Sequence, residues 1–227
     1  FRSLLYTFYD TTADELYFRV RLAGSKAQSS NSFTSGYVFI GVDINSDGAP
    51  DFFISVTQRT SNEKRISVWL PGSGANVSPS TTTINGETVL VSLLSGSPAT
   101  YFDFQDVTTT IDPSTTDLDL NQTGTQSSFS GNSSHDQNDQ FLTFKLPFTL
   151  STTDTNRLAG LKEALAARGV SITKDMTIRY IIATSTQNNS LNSDIGGYNG
   201  GTRSTTTFTN AGAFSPPMSF SNSFPVI

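Results

Sequence analysis

Tyr37-Val38-Phe39-Ile40-Gly41-Val42 and Phe52-Phe53-Ile54-Ser55-Val56 are two apolar runs flanking Asp43-Ile44-Asn45-Ser46-Asp47-Gly48-Ala49-Pro50-Asp51. Both runs are rich in aromatic and β-branched residues, and Asp-Gly and Pro punctuate the stretch between them. That order predicts a β-hairpin. Working outward, Leu16-Tyr17-Phe18-Arg19-Val20-Arg21-Leu22 alternates apolar and polar residues at a period of two, as a half-buried strand does. Arg65–Leu70 predicts another strand after the polar turn Arg59–Lys64, and Pro71-Gly72 stops it. Glu87–Leu94, Ala99–Phe104, Phe141–Leu146 and Met176–Ala183 complete the strand candidates.

One segment carries a helical period. Thr155–Arg168 spaces Leu158, Leu161 and Leu165 by three and four residues among Ala, Lys and Glu. Thr153 or Asp154 stands where an N-cap belongs, and Gly169 where a left-handed terminator belongs. The fold class expected is therefore all-β and mainly antiparallel, a β-sandwich or jelly-roll with one helix near 155–168. Asp106–Asn138 is poor in apolar residues and reads as a polar insertion of loops. The C-terminal strand lacks enough apolar partners to stand alone, so 1–227 is expected to form a single domain.

Composition narrows the function classes. In 227 residues the hydrophobic share is 35% and the charged share 15%, yet Phe alone contributes 17. Bulky aromatics let a modest number of apolar residues fill a core. Ser, Thr, Asn and Gln supply the surface, a neutral polar coat that suits an extracellular β protein. Cysteine is absent, which excludes disulfides and thiolate chemistry. The net charge of −5 argues against a nucleic-acid partner, whose dense phosphates call for a basic patch. No apolar run reaches bilayer-spanning length, so no membrane insertion is expected. The abrupt opening Phe1-Arg2-Ser3 is read as a processed or trimmed start.

The hairpin loop is the most informative chemical feature. Oxygen-bearing side chains fall at positions one, three, five and nine (Asp43, Asn45, Asp47, Asp51), with Gly48 at six. This spacing predicts a calcium loop, because a hard cation takes six to eight oxygens and alternate residues of a curled backbone can point inward together. Ala49, at position seven, would supply its carbonyl. Position twelve is Ile54, so the bidentate Glu of an EF-hand is missing, and no helix pair flanks the loop. The spacing alone resembles that of dockerin or integrin-type loops. An Asx-rich turn, for which Asp-Gly needs no metal, is the alternative. A calcium ion here would be structural, with an affinity of about 10⁻⁴–10⁻³ M.

Other candidates carry less. Asp117-Leu118-Asp119 sets two carboxylates on one face of a strand, an arrangement that can serve glycoside chemistry or simply a solvated edge. His135 is the only histidine and lies in a polar loop; zinc catalysis and a Ser–His–Asp triad find no support around it. Trp69 and Tyr198 are the candidate sugar-stacking rings. Trp69 shares a strand face with Ser67, so its ring either points outward or packs under a neighbouring loop. Tyr198 stands among glycines in Ile195–Gly201, with Gln187, Asn188, Asn189 and Asn192 upstream as amide donors, and Asp194 could ligate a second ion. The Thr-rich clusters 81–83, 108–110 and 205–207 lack the regular spacing an ice-binding array would need.

The block Leu16–Val56, with its strand, loop, strand and Asp-rich hairpin, resembles carbohydrate-binding β-sandwiches of the family 9 or DOMON-like type. Arg179–Gly197 and the tail Gly212-Ala213-Phe214-Ser215-Pro216-Pro217 resemble bacterial exported proteins that carry an exosortase-type sorting signal, although the signal itself is not in this sequence. The resemblance implies an extracellular sandwich tied to the bacterial cell surface or to exopolysaccharide, and it transfers no sugar-binding residue. The expectation is a non-catalytic, calcium-stabilised surface or matrix module that binds a polysaccharide or cell-surface glycan. A carbohydrate-active hydrolase or lyase and a structural or adhesive subunit are the alternatives.

Overall fold

The computed structural model describes residues 3–23, 36–60, 63–72, 83–92, 102–107, 139–150, 154–185, 188, 191, 194–195, 214–222 and 224–225. The alternation read in the first strand is realised in β2 (Glu15–Ala23). Leu16, Phe18 and Val20 are buried, while Tyr17 and Arg19 lie half-buried on the opposite face. Before it runs β1 (Ser3–Asp10), a strand the sequence pattern did not mark, paired antiparallel with β2.

The next strands follow in chain order as β3 (Tyr37–Asp43), β4 (Phe52–Thr60), β5 (Glu63–Pro71), β6 (Ile84–Ser92), β7 (Phe102–Val107) and β8 (Asp139–Pro147). After helix α1 (Leu161–Ala166) come β9 (Thr177–Ser185) and the two-residue strands β10 (Asp194–Ile195), β11 (Met218–Ser219) and β12 (Phe224–Pro225). One sheet has the order β12-β1-β2-β8-β7; the other runs β10-β9-β3-β4-β5-β6, with β11 added to β9. Every pairing among the described strands is antiparallel. The two sheets pack together as an all-β sandwich, the class expected from the sequence.

The main core lies between the sheets. Phe18 of β2 stacks on Phe144 of β8 at 5.2 Å and meets Tyr180 of β9 edge-on at 5.6 Å, which joins one sheet to the other. Val38, Ile40, Val42, Ile54, Val56, Ile66 and Val68 fill the space around them. A second apolar cluster covers the far face of the larger sheet, where Tyr37, Phe39, Phe53, Trp69 and Ile181 pack with Ile84 and Leu191. Strand β3 is thus buried on both faces along its whole length. That is why its sequence is a continuous apolar run rather than an alternation. Gly41 sits at the tightest point of the second cluster, where a Cβ would lie 2.7 Å from Ile181 Cγ2.

The helix is shorter than expected. Six residues, Leu161–Ala166, are helical, and its N-cap is Gly160 in an extended conformation rather than Thr153 or Asp154. The chain before it is drawn to the edge of β6: Ser92 donates its amide to the Asn156 carbonyl, and the Leu158 amide bonds to Leu90. Those pairings take the backbone groups a longer helix would have used, and Leu158 remains 54% exposed. Leu161, Ala164 and Leu165 form the buried stripe; beyond the Ala167 C-cap, Gly169 is left-handed at φ 80° and the Val170 amide donates to the Leu165 carbonyl. Strand β7 also lies three residues later than Ala99–Phe104, so Asp106 of the polar insertion belongs to a strand. Residues 108–138 lie outside the described residues.

Candidate functional site

The loop between β3 and β4 is built on Asp43, whose side chain is fully buried at the end of β3. Its Oδ1 accepts the amides of Asn45 (3.2 Å) and Ser46 (2.6 Å), and its Oδ2 accepts the amide of Gly48 (3.0 Å). One carboxylate thus holds three backbone donors and curls the chain around itself. Two left-handed residues make the curl possible, Ser46 at φ 62° and Gly48 at φ 84°. Gly48 takes that conformation without steric cost.

The same device repeats at alternate residues. Asn45 Oδ1 accepts the Asp47 amide at 2.9 Å, and Asp47 Oδ1 accepts the Ala49 amide at 2.8 Å. Asx turns therefore follow one another at positions one, three and five of the predicted loop. Asp51, at position nine, closes the circuit: its amide bonds to the Val42 carbonyl at 2.7 Å and its Oδ2 accepts the Ile44 amide at 2.7 Å. The Asn45 side-chain amide donates to Asp51 Oδ1 at 3.3 Å. All four oxygen-bearing side chains named from the sequence are thus brought into one hydrogen-bonded loop.

Their electrostatics are strained in one direction. The Asp51 carboxyl is pushed above its ordinary range by burial and by the neighbouring charges of Asp47 and Asp43, against the stabilising Ile44 amide. The donor set is all oxygen, which fits a hard cation such as calcium and does not fit a soft one. Asp43, Asn45, Asp47 and Asp51 would hold such an ion with the Ala49 carbonyl, and its charge would offset the repulsion felt at Asp51. In their present orientations the carboxylates face backbone amides. Among the described residues no three acidic or imidazole side chains are gathered as a ready metal shell.

The other candidates separate. Trp69 does sit on the outward face of β5, but it is only 5% exposed, and its Nε1 donates to Ser55 Oγ at 2.8 Å. Ile84 and Leu191, from distant parts of the chain, pack in the same cluster. Its ring therefore has the packing role rather than an open stacking face. Tyr198, Asp117, Asp119 and His135 lie outside the described residues.

Three further polar clusters emerge that sequence reasoning did not single out. Glu15, 1% exposed, pairs with Arg157 and with Lys145 Nζ at 2.9 Å, and accepts the Tyr17 hydroxyl at 2.9 Å. Asp14 accepts the hydroxyls of Tyr9 and Thr149. Glu87 accepts the Ser67 hydroxyl at 2.7 Å and pairs with Arg65 at 2.8 Å. Sequence spacing does not foretell their long-range members, because Arg157 and Lys145 reach Glu15, and Thr149 reaches Asp14, from more than a hundred residues away. Comparison with known proteins adds no relative: no family model, curated protein or solved structure matches this chain.

Proposed function

We propose that the chain is a non-catalytic extracellular module in which the β3–β4 loop holds one structural calcium ion, and that it serves at a surface or matrix in contact with glycan. The observation that carries the metal is the run of Asx turns at Asp43, Asn45 and Asp47 with Asp51 folded back across them. The loop concentrates three carboxylates within one turn of chain; burial first, and the charges of Asp47 and Asp43 after it, raise the Asp51 carboxyl, and a divalent cation would relieve the repulsion among them.

The non-catalytic reading is supported by the use the described acidic groups are put to. Asp14, Glu15 and Glu87 each bind partners that fasten strands together. The extracellular setting is supported by the neutral polar composition, with a charged share of only 15%.

Thermal unfolding in millimolar calcium against chelator tests the metal. Calcium should raise the melting temperature of the wild type and leave Asp47→Ala unmoved. Identical wild-type melting in the two buffers would favour the metal-free Asx turn, which the same backbone hydrogen bonds satisfy.

A further inference from the structure

We infer that Asn85 is a site of spontaneous deamidation, converted to aspartate and isoaspartate through a cyclic imide that the Gly86 backbone nitrogen closes and the Arg168 guanidinium promotes. The inference goes beyond the surface-module reading and depends on neither calcium nor glycan. In an asparagine–glycine pair the backbone nitrogen reaches the side-chain carbonyl with least hindrance, because glycine has no Cβ to obstruct the approach. The sequence holds two such pairs, Asn85-Gly86 and Asn199-Gly200, and the second lies outside the described residues.

Asn85 and Gly86 are both exposed on β6. Leu70 of β5 pairs with Asn85 and Val68 with Thr88, so Gly86 and Glu87 together oppose Trp69 in a β-bulge. Gly86 is left-handed there, at φ 65°. The bulge disrupts the ladder next to the Asn85–Gly86 peptide, the one that must turn for the ring to close. Among the described residues no hydrogen bond ties down the Asn85 carboxamide.

Arg168 supplies a charge at the reacting atoms. A Cβ on Gly86 would lie 3.5 Å from Arg168 Nη1 and 3.8 Å from Nη2, so the guanidinium covers that side of the glycine. Nη1 is shut off from solvent and has no hydrogen-bond partner. The guanidinium keeps its charge in proteins. Glu87, next in the chain, is engaged by Arg65 and Ser67.

In the first step the Gly86 nitrogen gives its proton to water and bonds to Asn85 Cγ. The bond from Cγ to the side-chain nitrogen breaks, and ammonia leaves with a proton taken back from water. Negative charge develops on the attacking nitrogen and on Oδ1, and a fixed cation beside them lowers its cost. One water then opens the imide. Attack at Cγ gives aspartate; attack at the main-chain carbonyl gives isoaspartate, whose backbone runs through Cγ. Nothing is oxidised or reduced, and either product carries a new carboxylate beside Arg168. Asp47-Gly48 can form the same imide by losing water, but the Gly48 amide is bonded to Asp43 Oδ2 and Asp47 Oδ1 holds the Ala49 amide. That peptide is fastened, so Asn85 should react before it.

Peptide mapping by mass spectrometry, on folded protein held in neutral buffer at physiological temperature, tests the inference. Residue 85 should gain the mass difference between an amide and an acid, and an isoaspartate-specific methyltransferase should label its peptide ahead of the one containing Asp47. Arg168→Ala should slow the conversion about three- to tenfold, while Arg168→Lys, which keeps a cation, should retain most of the rate. Asn85→Gln, one methylene longer, should stay intact. A wild type whose residue 85 remains asparagine would overturn the inference. So would Arg168→Ala that converts as fast as the wild type or faster, since Arg168 would then only brace the bulge.

Discussion

Asp43 Oδ2 accepts the Gly48 amide at 3.0 Å, a bond that spans the tightest part of the β3–β4 loop from a carboxylate with no exposure to solvent. The loop conformation therefore depends on Asp43 before any ion is considered. Asp47, by contrast, is exposed and holds a single amide, that of Ala49. Asp43→Ala should cost about 2–3 kcal/mol in urea unfolding even in chelator, because the buried Gly48 amide and the part-buried Asn45 and Ser46 bonds lose a charged acceptor. Asp47→Ala should cost under about 1 kcal/mol in chelator. Equal losses would show that the two carboxylates do not divide the work in this way.

Gly41 meets the second apolar cluster where there is no room for a methyl group. Gly41→Ala must displace Ile181 or Phe53, both nearly fully buried, and should destabilise the protein by about 1–3 kcal/mol. A melting temperature unchanged within error would show that this face of the larger sheet is loosely packed.

Glu15 binds Arg157 to β2, and Arg157 belongs to the segment laid along the edge of β6. Glu15→Gln leaves Arg157 and Lys145 half-buried with a neutral partner and should cost about 3 kcal/mol, more than an exposed ion pair would. Hydrogen exchange should quicken at the Ser92 and Leu158 amides, whose acceptors lie on opposite sides of this junction. Unchanged exchange there would sever the link between the ion pair and the strap.

Tyr9 is shielded from water and donates to Asp14, and both effects raise its hydroxyl from 10.0 to about 12. A group that keeps its proton longer when folded contributes stability that is complete below the unfolded value and vanishes as pH rises through the folded one. The wild type should therefore exceed Tyr9→Phe in stability up to about pH 10 and lose that advantage by about pH 12. A constant gap between the two across that window would mean the hydroxyl does not titrate as its surroundings dictate.

The strands legible in the sequence are those whose surroundings are uniform. β2 alternates because one face meets the core and the other does not, while β3 is a continuous apolar run because both its faces are buried. β1 escaped notice because Tyr6 and Phe8 put aromatics on its outer face and Thr7 put a polar residue in the core, which erases the alternation. The overlong helix has a tertiary cause: Leu158 keeps the helical spacing, yet its amide is taken by Leu90 on β6. Trp69 shows the same limit, since its outward register was readable but Ile84 and Leu191, which pack around it, are far away in the chain. The loop was legible because its chemistry is local, each side chain bonding an amide two to seven residues away.

The ion itself is tested most directly by following backbone amides in solution while calcium is added to chelator-stripped protein. Resonances of Asn45, Asp47, Gly48 and Ala49 should move together and saturate with one dissociation constant of about 10⁻⁴–10⁻³ M, and Asp47→Ala should abolish the movement. Amides that stay fixed through ten millimolar calcium (roughly ten times the weaker limit), or that drift without saturating, would contradict a metal in this loop.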